Sequence, residues 1–86
     1  MNDQIEINVR EIPTTIKKIR KIKSLTQEYL AAKLHISQNA YSKIELGHSK
    51  LTVERLCQIA NILDVKPNQL LYFKPAEFVD ALRVSG

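Results

Sequence analysis

The chain of 86 residues has one cysteine, two glycines and no tryptophan. A lone Cys57 excludes an intramolecular disulfide framework, and no spacing of histidine and cysteine fits a zinc site. A reducing compartment is the expectation. With only Gly47 and Gly86 available, the chain must close its turns largely with residues that carry side chains. No apolar run is long enough to span a bilayer, and the opening MNDQIEINVR lacks the charged-then-apolar order of a signal peptide. A cytoplasmic protein without a membrane partner is therefore expected. No nucleophile beside a base, no paired carboxylates and no phosphate-cradling glycine loop occurs, so an enzyme is the poorest fit and neither cofactor nor metal is expected.

What the chain has is a hydrophobic content of 44%, enough for one small core but not for a deep cleft beside it. That composition suits a binding module. The charge is unevenly spread. Lys17, Lys18, Arg20, Lys21, Lys23, Lys33, Lys43 and Lys50 face only Glu28 and Glu45 between residues 12 and 50, whereas residues 1–11 are acidic on balance and residues 51–86 are neutral. A polyanion partner for the central half accounts for this, and a solvated lysine face is the plain alternative.

Periodicity predicts five helices and an all-α fold. Ile12, Ile16, Ile19 and Ile22 recur at helical spacing with Pro13 near the start, and this first helix ends near Lys23. Thr26 caps a second helix whose apolar face is Tyr29, Leu30, Ala31 and Leu34. Ser37 caps a third that runs to about Leu46 and stops at Gly47. Thr52 caps a fourth with a stripe of Val53, Leu56, Ile59, Ala60 and Leu63, in which Cys57 is expected as a small buried hydrophobe. Pro67 opens a last short helix that turns Leu70 and Leu71 inward. Ahead of these, Ile5, Ile7 and Val9 alternate with polar residues, which predicts a short N-terminal strand. The expected organisation is an arm over 1–11, a helical domain over 12–72 and a tail over 73–86.

The third helix poses a chemical question. Gln38, Asn39, Ser42 and Lys43 share one face of it, while Ala40, Tyr41 and Ile44 share the other. Amides that donate and accept together suit adenine edges, a lysine suits guanine or phosphate, and a helix N-terminus favours an anion. The free face thus matches a DNA major groove, though an ordinary polar face has the same composition.

The segment QEYLAAKLHISQNAYSKI, residues 27–44, resembles the helix-turn-helix of the phage repressor and Cro type, the XRE-like family. The likeness runs from about Ile16 to Leu71 and includes LTQEYLAAKL, ISQNAYSKIELG and LTVERLCQIANILDVKPNQLL in order. It implies a compact, lambda-repressor-like bundle of five helices. Carried over residue by residue, it makes Gln38, Asn39, Ser42 and Lys43 the base readers. Gln27, Ser37, His48 and Lys50 become phosphate contacts, and Arg20 and Glu45 an ion pair tying the first helix to the reading helix. Three positions depart from the pattern. His35 stands where a left-handed glycine is usual, Tyr41 is larger than the usual aliphatic residue, and Leu46 replaces a commonly basic one.

The resemblance implies a sequence-specific transcriptional regulator of double-stranded DNA, a repressor acting as a homodimer. The dimer is expected to form through antiparallel pairing of residues 4–10. The alternative is a protein-interaction module that captures a partner through its tails, such as the DNA-binding antitoxin of a toxin–antitoxin pair.

Overall fold

The structure is a computed structural model that describes residues 7–72 and Phe78. A 3-10 turn (Val9–Glu11) leads into α1 (Ile12–Ile22), α2 (Gln27–Leu34), α3 (Gln38–Glu45), α4 (Val53–Leu63) and α5 (Pro67–Leu71). No strand occurs among the described residues.

The helix starts follow the expected chemistry. The hydroxyl oxygens of Thr26, Ser37 and Thr52 accept from the backbone N–H of Tyr29, Ala40 and Arg55 at 3.0, 3.0 and 3.1 Å. Each satisfies a donor that the first helical turn leaves unpaired. At α5 the reach is reversed, and the Gln69 side chain accepts from the Lys66 backbone N–H at 2.9 Å.

The helix ends explain how the chain manages with so little glycine. Ser24, His35, Gly47 and Asp64 all take left-handed backbone conformations, with φ of 59, 59, 77 and 58°. Each closes its helix with the same pair of reversed hydrogen bonds: at Ser24, for example, Leu25 N–H donates to the Arg20 carbonyl and Ser24 N–H to that of Lys21, both at 3.0 Å. This is the Schellman closure, in which the residue after the left-handed one packs back on the helix. Leu25, Ile36 and Val65 hold that position and pack against the core. Only Gly47 takes the conformation free of side-chain strain; the left-handed conformation was anticipated for His35 but not for Ser24 or Asp64.

The core is built from Ile12, Ile16 and Ile19 of α1, Leu30, Ala31 and Leu34 of α2, Tyr41 and Ile44 of α3, Leu56, Ile59, Ala60 and Leu63 of α4, and Leu70 of α5. Phe78, beyond α5 in the chain, joins it.

Several expectations need correction. The N-terminal strand does not form over its described part. Asn8 accepts from Arg10 N–H at 3.0 Å and donates to Glu11 at 3.1 Å, and these local bonds wind Val9–Glu11 into a turn. Ile5 lies outside the described residues. Cys57 is exposed, not buried. It follows Leu56 by one residue, a step of about 100° around the helix that carries it off the apolar stripe. Val53, Ile22 and Tyr29 are also exposed, at 77, 40 and 41%. Each stands at or near a helix end, where the face opens to solvent.

Candidate nucleic-acid interface

The expected ion pair is present and buried. Arg20 Nε donates to Glu45 Oε2 at 2.6 Å and Nη2 to Oε1 at 3.1 Å, while Nη1 donates to the Leu25 carbonyl at 2.8 Å. Both residues are under a tenth exposed. One guanidinium therefore ties α1, its closing turn and the end of α3. The two-pronged geometry is one that lysine could not reproduce.

Gln27 completes this network. Its Nε2 donates to Glu45 Oε1 at 3.0 Å, linking the start of α2 to the end of α3. A carboxylate can only accept, so the chemistry fixes which way the amide is turned. Glu45 thus receives three hydrogen bonds from two other helices. Burial pushes its carboxyl upward, but the donors from Arg20 and Gln27 outweigh this and hold it below its ordinary value. The bond to Glu45 raises the Arg20 guanidinium further above its already high value.

Tyr41 fills the space between this polar network and the core. Its ring is fully buried, and among the described residues its hydroxyl meets no hydrogen-bond partner. Burial holds the phenol far above its usual value, with the Glu45 carboxylate adding to the effect. The side chain that departs from the usual aliphatic residue is therefore the one that α3 buries most completely.

With Tyr41, Ile44 and Glu45 turned inward, α3 presents Gln38, Asn39 and Lys43 to solvent. Ser42 is half-buried at the border of that face. The free face carries amides and a cation and no carboxylate, as the periodicity predicts. At its N-terminal end the Ser37 hydroxyl oxygen is committed to the Ala40 N–H, which leaves its own O–H able to donate.

The remaining expected phosphate contacts are placed less uniformly. His48 and Lys50 lie exposed in the loop between α3 and α4, and the His48 backbone N–H is already bonded to the Lys43 carbonyl at 2.9 Å. Gln27 keeps one N–H and its carbonyl oxygen after serving Glu45. The Gln27–Glu45 bond, the Leu25 carbonyl as a partner of Arg20 and the orphaned Tyr41 hydroxyl are absent from the sequence reading. The eighteen-residue separation of Gln27 and Glu45 gives no periodic signal.

Two short helices joined by a tight left-handed turn, the second presenting a free polar face, define a helix-turn-helix domain. The Helix-turn-helix family HTH_3 matches residues 16–70, and the chain belongs to that family. It is also 46% identical over 56 residues to the uncharacterized HTH-type transcriptional regulator YqaE of Bacillus subtilis (strain 168). The match covers 65% of this chain and 48% of that relative, so it spans about half of the relative's length. Among the described residues, no helix is long and apolar enough to cross a membrane.

Proposed function

We propose that the protein is a sequence-specific DNA-binding transcriptional regulator, a repressor that acts in the cytoplasm as a homodimer on double-stranded DNA. The carrying observation is the contrast between the two sides of α3. One side is held by Tyr41, Ile44 and the Arg20–Glu45–Gln27 network, and the other offers Gln38, Asn39 and Lys43 freely. A helix immobilised on one face is what base reading requires, because hydrogen-bonding to base edges tolerates little displacement.

In this reading Gln38 and Asn39 pair with adenine edges, Lys43 takes guanine or phosphate, and Ser42 makes a border contact. Gln27 donates its remaining N–H to a phosphate, and Ser37, His48 and Lys50 anchor the flanking backbone. A homodimer follows from information content: one such helix reads a few base pairs, and useful specificity takes two half-sites.

Selection of bound sequences from a random DNA pool tests this directly. A paired, inverted motif is the expected product. Recovery of no motif at moderate salt would overturn the reading.

A further inference from the structure

α1 carries Lys17, Lys18 and Lys21 on its exposed surface and no carboxylate. Its other cation, Arg20, is already neutralised by Glu45. Lys17 and Lys21 stand one turn apart, so their charges repel, and among the described residues no carboxylate pairs with either. Pairing within the chain therefore does not account for them.

Two contacts fix where Lys17 stands. Arg20 reaches Glu45 at the end of α3, and Pro13 lies against Gly47, where an added Cβ would be 3.8 Å from Pro13 Cγ. Lys17 is four residues after Pro13 and three before Arg20, so it shares their flank of α1, turned about 40–60° further toward solvent. That flank runs beside the C-terminal end of α3 and the start of the loop that bears the exposed His48 and Lys50. Lys33 provides the contrast. It stacks over the Tyr29 ring at 5.6 Å and borders a cleft with Gln58 and Asn61 that no residue of α1 or α3 lines.

We infer that Lys17 is a further phosphate contact, made with the backbone wall of the major groove that α3 enters, an assignment that rests on the proposed DNA-binding function. A helix with its side chains is about 10–12 Å across, and the groove is about 12 Å wide, so a seated helix fills it. Whatever is docked on the flank of that helix then meets the phosphates of one wall. Glu45, at the border of the free face, holds both Arg20 of α1 and Gln27 of α2, so these are the elements on that flank. Arg20 is committed to Glu45, and the next cation along the flank is Lys17. A lysine suits the place, because a contact to the backbone asks for charge and reach, not for a fixed fork. Such a contact adds affinity alike at every sequence and carries no base preference of its own.

The test compares the full chain with Lys17→Gln, Lys17→Arg and Lys33→Gln on a random-sequence duplex and on a duplex carrying the selected motif. Glutamine is a good helix former and the site is exposed, so Lys17→Gln is expected to keep the parent's thermal midpoint. The plot of log affinity against log salt should lose about one unit of slope in Lys17→Gln. Lys17→Arg and Lys33→Gln should keep the parent's slope, and base preferences should be the same in all four proteins. Neutral methylphosphonates placed one at a time along the duplex then locate the contact: at one position the parent should lose several-fold in affinity and Lys17→Gln nothing further. An unchanged slope for Lys17→Gln would overturn the assignment. So would equal losses in Lys17→Gln and Lys33→Gln, or matching methylphosphonate profiles for Lys17→Gln and the parent, either of which would mean a diffuse field and no contact. If selection yields no motif but Lys17→Gln still loses slope on the random duplex, the sequence-specific reading fails and the contact stands. A motif with an unchanged slope removes the contact and leaves that reading intact.

Discussion

Gln27 and Glu45, eighteen positions apart in sequence, are joined by a 3.0 Å hydrogen bond across the two helices of the helix-turn-helix. Glu45 also receives Arg20, so the angle between α2 and α3 and the docking of α1 converge on one carboxylate. The free face of α3 is held in place from behind.

Removing either member of the ion pair should be costly, because the survivor is a buried charge without compensation. Arg20→Ala and Glu45→Ala are each expected to destabilise the fold by about 3 kcal/mol or more. Urea unfolding of the two variants measures this. A loss below about 1 kcal/mol would place the pair with ordinary surface bridges instead.

Acid should act through the same carboxylate. The folded Glu45 carboxyl lies below its ordinary value of 4.5, so the unfolded chain binds the proton more tightly. Its contribution to stability is complete above that ordinary value and is lost as pH falls through the lower, folded one. The thermal midpoint of the parent should therefore drop more steeply in this acid range than that of Glu45→Gln, which has no such proton to bind. Parallel curves for the two proteins would remove Glu45 as a source of acid sensitivity.

Tyr41 makes the opposite prediction. Among the described residues its buried hydroxyl meets no partner, and such a group opposes folding, so Tyr41→Phe should leave stability unchanged or raise it by about 1 kcal/mol. A clear loss in chemical unfolding would mean that the hydroxyl has a partner, such as a buried water, that the phenylalanine cannot keep.

Reading and positioning residues should separate in binding-site selection. Gln38→Ala and Asn39→Ala are each expected to lose about 1–3 kcal/mol of discrimination at particular base positions. Lys50→Ala and Gln27→Ala should weaken all sequences alike, the latter with an added loss of stability from its bond to Glu45. If the Gln38 and Asn39 variants keep the parent's base preferences, the reading face lies elsewhere.

The left-handed turns offer a backbone test. An added Cβ at Gly47 would approach no closer than 3.8 Å to Pro13 Cγ, so space is not the obstacle. Gly47→Ala should still cost about 1 kcal/mol because of its positive φ. Ser24→Gly should gain a few tenths to about 1 kcal/mol, strain relief partly offset by the freer unfolded chain. Thermal unfolding of both variants checks the pair of signs.

The sequence alone determined the parts of this protein that depend on neighbours a few residues apart. Isoleucines at helical spacing, Thr26, Ser37 and Thr52 as caps, and Pro67 in a first turn act through local geometry, so the five helices and the free face of α3 were legible. Where local bonds compete, the pattern misled: Ile5, Ile7 and Val9 alternate like a strand, but Asn8 satisfies its neighbours in a turn. Cys57 read as core only because one helical step of error moves a residue from an apolar stripe to solvent. The resemblance supplied the pairing of Arg20 with Glu45, but not Gln27 as its third member, the orphaned hydroxyl of Tyr41 or the burial of Phe78. Those depend on where α1, α2 and α3 stand relative to one another. That arrangement is set by the packing of the whole core at once, and no short window of sequence contains it.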